Sequence, residues 1–247
     1  MTALIHIALF LLTACLSLDG FAQTLRIVTE PWAPYVMQES GQMRGLDYEA
    51  TVQVMQRLGV KVEWSLAPWK RALAMMQKGE ADAVLDVFRD GERDEILIYP
   101  SEPLSRVQLV LFQANARPHE INRLEDLHGL TVGTSPGYLY SPEFDTSPLF
   151  ERETAPTHEA NFGKLLLGRV DLVITDRIVG QRLLDDLKLR DRISQLPLVI
   201  NRRDQFLGFR RQAGLDTLAQ RFGSELERFK REPAYARLMA RYIGDVR

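Results

Sequence analysis

The chain has 247 residues, of which 45% are hydrophobic and 26% are charged, and its formal net charge is −2. This composition is typical of a globular protein of one or two domains, and it excludes a disordered chain or a fibrous repeat. The small net charge argues against a protein that binds the phosphates of nucleic acid, and the single cysteine, Cys15, excludes a disulfide framework and a multi-cysteine metal site.

The first 22 residues have the pattern of a secretory signal peptide. The apolar run from Ala3 to Leu18 is shorter than the roughly 20 residues that cross a bilayer, and small residues precede a cleavage site after Ala22. Another cut stays open, because Leu12–Cys15 resembles a bacterial lipobox, in which the cysteine is lipidated. Either cut predicts an exported protein, and cleavage after Ala22 leaves no cysteine, as suits an oxidising compartment.

Beyond residue 23, the spacing of apolar residues predicts strands that alternate with helices. The first half contains predicted strands at 25–29, 60–64 and 83–88, and predicted helices at 46–58 and 68–78. The second half contains predicted strands at 109–112, 130–134, 170–175 and 196–200. Its predicted helices lie near 124–127, after the Gly/Pro turn at 135–137, and at 162–167, 178–187, 215–229 and 235–242. This alternation predicts a mostly parallel α/β sheet in two lobes of similar size, and such sheets bind ligands at the carboxyl ends of their strands.

The sequence gives little support for a catalytic motif or a metal site. The segment Gly133–Gly137 matches the G-x-S-x-G nucleophile elbow by its letters, but Pro136 follows the serine and lacks the N–H that the oxyanion hole needs. The four histidines are scattered, and no phosphate-binding glycine loop occurs. We therefore expect no metal and no nucleotide cofactor.

Two charged residues stand out by position. Asp176 closes an apolar run at the end of a predicted strand, where it is either a helix N-cap or a cleft residue. Arg93 lies in a charged segment before Ile96, where it is either a solvated surface charge or a ligand-binding group. The pattern alone leaves both pairs of alternatives open.

A set of short motifs spread over 25–243 carries a resemblance to a known family. These motifs are Glu30–Tyr35, Gly45–Glu49, Gly79–Ala83, Glu92–Arg93 with Tyr99–Leu104, Leu127–Gly129 with Val132–Gly133, and Gly168–Asp171 with Asp176. Together they resemble the bacterial extracellular solute-binding proteins of family 3, the type that binds polar amino acids in the periplasm.

The resemblance implies a type II periplasmic binding protein, an α/β fold in which two lobes are joined by two hinge strands around a central cleft. Lobe 1 is expected at 23–105 plus 203–247, and lobe 2 at 106–202. The family's carboxylate-binding arginine falls on Arg93, and its ammonium-binding aspartate falls on Asp176. Trp32 and Tyr35 are candidate walls of the cleft, with core packing as the alternative, whereas Trp69 has the spacing of a core residue.

The sequence departs from the family in two places. Phe88–Gly91 stands where relatives carry small hydroxyl residues before the arginine. Gly137 and Tyr138 stand at the family's Gly-Thr-Thr-like helix start, whose N–H groups help to hold the ligand carboxylate. These changes leave open a larger or differently charged polar solute.

The resulting hypothesis is a periplasmic, monomeric receptor for a small, polar, amino-acid-like solute. It closes by a hinge motion and delivers the solute to an inner-membrane ABC permease or to a sensor, and it binds no nucleic acid. The alternatives are an enzyme on the same scaffold, similar to cyclohexadienyl dehydratase with Glu30 or Glu102 as its acid, and a sensory module with an altered cleft.

Overall fold

The computed structural model describes residues 24–91 and 93–244. The predicted signal peptide at 1–22, the alternative lipidation site Cys15 and the motif residue Glu92 lie outside the described residues. No helix among the described residues is long and apolar enough to cross a bilayer.

The predicted strands and helices form, and four short strands at 37–39, 42–44, 97–98 and 151–154, which the sequence analysis did not predict, interrupt their alternation. The strands are β1 (Leu25–Thr29), β2 (Met37–Glu39), β3 (Gln42–Arg44), β4 (Val62–Leu66), β5 (Ala83–Phe88), β6 (Leu97–Ile98), β7 (Ser105–Ala114), β8 (Thr131–Thr134), β9 (Glu151–Thr154), β10 (Leu172–Asp176) and β11 (Ile193–Arg210). The helices are α1 (Leu46–Arg57), α2 (Trp69–Lys78), α3 (Pro142–Thr146), α4 (His158–Leu166), α5 (Arg177–Asp186), α6 (Asp216–Lys230) and α7 (Pro233–Tyr242).

One large sheet contains all of these strands except the β2–β3 hairpin, in the order β4-β1-β5-β11-β7-β10-β8-β9, with β6 also paired to β11. The pairs β4–β1–β5 at one end and β10–β8–β9 at the other are parallel. The centre is antiparallel, because β11 runs opposite to both β5 and β7. The α/β prediction is confirmed, and the antiparallel centre is the feature that strand–helix alternation does not predict.

The last strand is much longer than its sequence pattern indicates. We predicted a strand at 196–200, whereas β11 has 18 residues. The added part includes polar residues, from Asn201 opposite Leu109 to Gln205 opposite Ser105. Backbone pairing with β7 holds this segment in the sheet, so an apolar pattern is not needed to define it.

The core packs α5 closely against β7. Gly180 of α5 lies over the ring of Phe112, which is fully buried and contacts Phe162 at 5.4 Å between ring centroids. A Cβ atom at position 180 would lie 2.1 Å from Cζ of Phe112. The absence of a side chain at this glycine therefore sets the distance between helix and sheet.

We predict that Gly180→Ala lowers the free energy of unfolding by about 1–3 kcal/mol, because the added methyl group overpacks a rigid, buried ring. The matched control is Gly163→Ala in α4, where a Cβ meets no atom within 4 Å. That variant is expected to gain about 0.5–1 kcal/mol from the helix propensity of alanine. Urea denaturation of both variants measures the difference, and equal effects would contradict this account of the packing.

Candidate functional site

A small cavity lies at the carboxyl ends of β1 and β5, beneath the loop that joins β8 to α3. We call it the aromatic cavity. Its lining residues are Thr29, Glu30, Trp32, Trp69, Leu85, Asp86, Phe88, Arg93, Tyr138 and Leu139. The volume of the cavity that is open to the centre of a water molecule is about 20 Å³. This is room for about one water.

A second recess, which we call the β7 groove, lies beside the start of β7. It is larger, at about 420 Å³ by the same measure. Tyr35 and Asp176 line this groove together with the ion pair of Lys230 and Glu102, in which Nζ and Oε1 are 2.6 Å apart. Arg93 lines the aromatic cavity and Asp176 lines the β7 groove, so the two predicted charges do not line one recess.

Four of the ten residues that line the aromatic cavity are aromatic. The ring of Trp32 lies 6.2 Å from that of Phe88 and 6.1 Å from that of Tyr138, and Trp69 lies 6.3 Å from Tyr138. Trp32 is 5% exposed and also packs on Tyr35 at 5.3 Å. Trp32 and Trp69 therefore both belong to the core and line the cavity. For Trp69, the helical spacing predicted the core position but not the place in the cavity wall.

The β8–α3 loop closes the cavity over the start of α2. The hydroxyl of Tyr138 donates a hydrogen bond to Oε1 of Glu30, and the backbone N–H of Trp69 donates to Oε2 of Glu30 at 3.2 Å. Burial raises the pKa of Glu30 in spite of these two donors. Gly137 has a φ of +81°, and a Cβ there would lie 3.1 Å from Cγ of Lys70, which explains a glycine at this close approach.

Arg93 begins a short 3-10 helix and is only 9% exposed, so it is not a solvated surface charge. Its Nη1 donates to the carbonyl oxygen of Phe88 at 3.3 Å, and its guanidinium carbon lies 5.8 Å from the centre of the Trp69 ring. The guanidinium is thus held at the wall of the aromatic cavity by a carbonyl and an aromatic face.

Asp176 caps α5, which is one of the two alternatives left open by the sequence. Its Oδ1 accepts the N–H groups of Ile178 and Val179 at 3.0 and 3.1 Å and the Tyr35 hydroxyl at 3.2 Å. Its Oδ2 accepts the N–H of Gln108 at 3.0 Å. Burial raises the pKa of Asp176 to about 6, although the backbone donors act in the opposite direction. Its predicted role toward a ligand ammonium stays a prediction.

Asp86 is a lining residue that the sequence analysis missed. It is 8% exposed, and neither of its carboxyl oxygens has a hydrogen-bond partner among the described residues. Burial, followed by the charge of Asp47, raises the pKa of Asp86 well above its usual range. The signal that was available is a lone acid inside the otherwise apolar strand Ala83–Phe88.

The model of one protein family matches residues 25–245, that of the bacterial extracellular solute-binding proteins, family 3. The chain belongs to this family. Its sequence matches no curated protein.

Solved structures show the type II periplasmic binding fold for this family 3 protein. One is an amino acid ABC transporter substrate-binding protein, AbpA from Streptococcus pneumoniae, bound to L-arginine, with 19% identity, a TM-score of 0.76 and coverage of 88% of this chain and 93% of that chain. A histidine kinase sensor domain gives 19% identity and a TM-score of 0.79, covering 90% and 96%. The ancestral amino acid-binding protein AncCDT-1, a precursor of cyclohexadienyl dehydratase, gives 20% identity and a TM-score of 0.75, covering 89% and 95%.

We predict that Asp176→Ala lowers the free energy of unfolding by about 1–3 kcal/mol, since it removes the cap of α5 and the acceptor of the partly buried N–H of Gln108. Asp176→Asn is the matched control, because its amide oxygen still accepts from the helix N–H groups and its loss is expected to be smaller. Chemical denaturation at neutral pH measures both. An Ala variant as stable as the parent protein would show that the capping contacts contribute nothing.

Proposed function

We propose that this family 3 protein is a periplasmic receptor that binds a small, polar, amino-acid-like solute in the aromatic cavity. One observation carries the proposal: two unpaired, buried polar groups of opposite kind line the same cavity. The indole N–H of Trp32 has no acceptor, and the carboxyl of Asp86 has no donor, among the described residues. A solute with a carboxylate and an ammonium supplies both missing partners, whereas an apolar solute leaves them unpaired at a cost of about 1–3 kcal/mol each.

Arg93 supports the proposal because a buried guanidinium on this wall can bind a carboxylate with two parallel hydrogen bonds. Hydrogen bonds to charged groups contribute about 1.5–3 kcal/mol each. A few such bonds together with aromatic contacts reach the roughly −8 kcal/mol of a micromolar dissociation constant.

The cavity must open to admit a solute, because its free space of about 20 Å³ holds about one water. We propose the lobe boundaries given above, 23–105 plus 203–247 and 106–202, with β7 and β11 as the hinge. On this division, the bond between Tyr138 and Glu30 joins the two lobes. Opening breaks this bond, and a solute that contacts both lobes favours closure because only the closed state makes both sets of contacts.

Two partners fit this proposal: an inner-membrane ABC permease, since the S. pneumoniae protein is named an ABC transporter substrate-binding protein, and a sensor, since another similar structure is a histidine kinase sensor domain. We propose a monomeric receptor exported by the signal at 1–22, with delivery to a permease as its main role.

An enzyme is the second candidate, and the observation that favours it is Glu30. Its carboxyl lines the aromatic cavity, and burial raises its pKa, as a general acid requires. Glu102, the other candidate acid, is paired with Lys230 at the β7 groove. The test incubates the protein with a bound solute and analyses the solute afterwards. Recovery of the unaltered solute supports the receptor, and a product of different mass or structure supports the enzyme.

We predict that Arg93→Ala abolishes the rise in melting temperature that a bound amino acid causes, because the ligand carboxylate loses its two-pronged partner. In the parent protein, a ligand at 100 times its dissociation constant adds about 2.7 kcal/mol of stability. A thermal-shift screen with amino acids, polyamines and small organic acids provides the measurement.

Arg89→Ala is the matched control, since Arg89 lies on the same segment but its side chain is 64% exposed. This control is expected to keep the full response. Equal responses in the two variants would exclude Arg93 from the site, and a parent protein that responds to no compound would exclude the receptor.

A further inference from the structure

We propose that the β7 groove is a second binding site, which takes a small amphipathic anion with an apolar body and one carboxylate. The groove lies at the hinge, and its occupant favours the state in which the aromatic cavity is closed. The site itself is independent of the proposed function, whereas its effect on closure rests on the lobes and the hinge proposed above.

The groove has the size of a small-molecule pocket. About 420 Å³ of it is open to the centre of a water molecule, and pockets for small ligands have about 300–1,000 Å³. Residues of both proposed lobes line it, among them Tyr35 and Leu46 of lobe 1, and Gln108 and Ile178 of lobe 2. A recess between two domains is a common place for a ligand.

Much of the groove wall is hydrocarbon. Leu46 and Leu104 are each 1% exposed and join the wall to the core. A ligand methylene group that is buried against such a surface strengthens binding by about fourfold. The apolar residues that line the groove are Leu46, Leu104, Ile178, Tyr235, Met239 and Ile243.

Six charged residues also line the groove, and four of them form two ion pairs. Nζ of Lys230 lies 2.6 Å from Oε1 of Glu102, and Nε of Arg106 lies 2.6 Å from Oδ1 of Asp204. The charges of these four residues cancel, so the charge that a ligand meets is set by the two that remain.

The two remaining charged residues are Asp176 and Arg177. Asp176 is 1% exposed, and both of its oxygens already accept hydrogen bonds. Arg177 is partly buried, and its side chain makes no hydrogen bond or ion pair with any described residue. The side-chain amide of Gln108 also has no partner in the described part of the chain. A guanidinium without an acceptor beside an apolar wall binds a carboxylate with two parallel hydrogen bonds, so the groove fits an amphipathic anion.

One face of the hinge strands belongs to the groove. Side chains alternate between the two faces of a strand, and the pairing of β7 with β11 is regular over 105–109 and 201–205. Arg106 and Asp204 are opposite each other in this pairing, and both line the groove.

The other face of the hinge strands belongs to the aromatic cavity. Arg203 is next to Asp204 on β11, so its side chain leaves the strand on the opposite face. Its guanidinium carbon lies 4.8 Å from the centre of the Phe88 ring, and its Nη1 donates to the carbonyl oxygen of Leu139 at 3.0 Å. Phe88 and Leu139 line the aromatic cavity. The two recesses therefore share the hinge, one on each face.

This arrangement couples the two recesses. A bend of the hinge strands that widens one recess narrows the other, so opening of the aromatic cavity narrows the β7 groove. A molecule that fills the groove opposes this bend and favours the closed state. By linkage, a solute in the aromatic cavity tightens binding in the groove by the same factor.

Titration calorimetry with sodium octanoate tests the site, with octylammonium chloride and sodium acetate as comparison probes. We expect one octanoate per chain, bound at least about tenfold more tightly than octylammonium, because Arg177 attracts a carboxylate and repels an ammonium. Acetate lacks the apolar body, and we expect it to bind at least about a hundredfold more weakly than octanoate.

Arg177→Gln is the decisive variant, and we expect it to weaken octanoate binding by about tenfold. Met239→Glu places a negative charge on the apolar wall and is expected to weaken it at least as much. Arg182→Gln is the matched control, because Arg182 lies on the same helix, does not line the groove and is 3.3 Å from Asp186. Circular dichroism checks that each variant folds.

Hydrogen–deuterium exchange measures the coupling. Octanoate is expected to slow exchange of the backbone N–H groups in the β8–α3 loop, which closes the aromatic cavity, by about fivefold or more. The same octanoate concentration is expected to have a smaller effect in Arg177→Gln.

The outcomes separate this inference from the proposed function. Equal affinities for octanoate and octylammonium, or unchanged octanoate binding in Arg177→Gln, would overturn the site and leave the receptor intact. Unchanged or faster exchange of the β8–α3 loop with octanoate bound would overturn the coupling. Octanoate binding in a protein whose melting temperature responds to no amino acid or polyamine would support the site while the receptor proposal fails.

Discussion

The antiparallel pairing of β7 with β11 is the constraint on which the rest of the structure depends. It joins the parallel strands β4, β1 and β5 at one end of the sheet to β10, β8 and β9 at the other. The loops that follow β1, β5 and β8 meet as a result, and their residues enclose the aromatic cavity. A slip of one residue in this pairing would turn every side chain of the strand to the opposite face, so the register of two strands nearly 100 residues apart positions the candidate site.

Apolar periodicity predicted the longer helices and the buried strands, but not the short strands β2, β3, β6 and β9. Gly79 ends α2 in the left-handed conformation, and Asp176 caps α5, as residues of these types do. The full length of β11 was missed, since its polar half is defined by hydrogen bonds to a distant strand. Asp86 was missed although it is the single acid of the apolar strand Ala83–Phe88, because the pairing of β5 with β11, which shifts register beside it, is not visible in the sequence of either strand.

The candidate site was also predicted only in part from the sequence. The family resemblance assigned Arg93 to the ligand and made Trp32 a candidate wall of the cleft, and both residues line the aromatic cavity together with Tyr138. The resemblance also assigned Asp176 to the ammonium of a ligand, and this role stays a prediction; the structure surrounds its carboxyl with donors at the β7 groove. The oxygens of Asp176 already accept hydrogen bonds, whereas those of Asp86 have no partner among the described residues, and an apolar pattern along a strand shows neither fact.

The positions of the tryptophans have a practical consequence. Two of the three in the chain, Trp32 and Trp69, line the aromatic cavity, and the third, Trp64, packs on Tyr48 with ring centroids 4.7 Å apart. Both lining indoles contact the ring of Tyr138, so their surroundings change when Tyr138 moves away in the proposed opening of the two lobes. Emission wavelength and quenching by iodide give a direct optical record of that movement, without any attached dye.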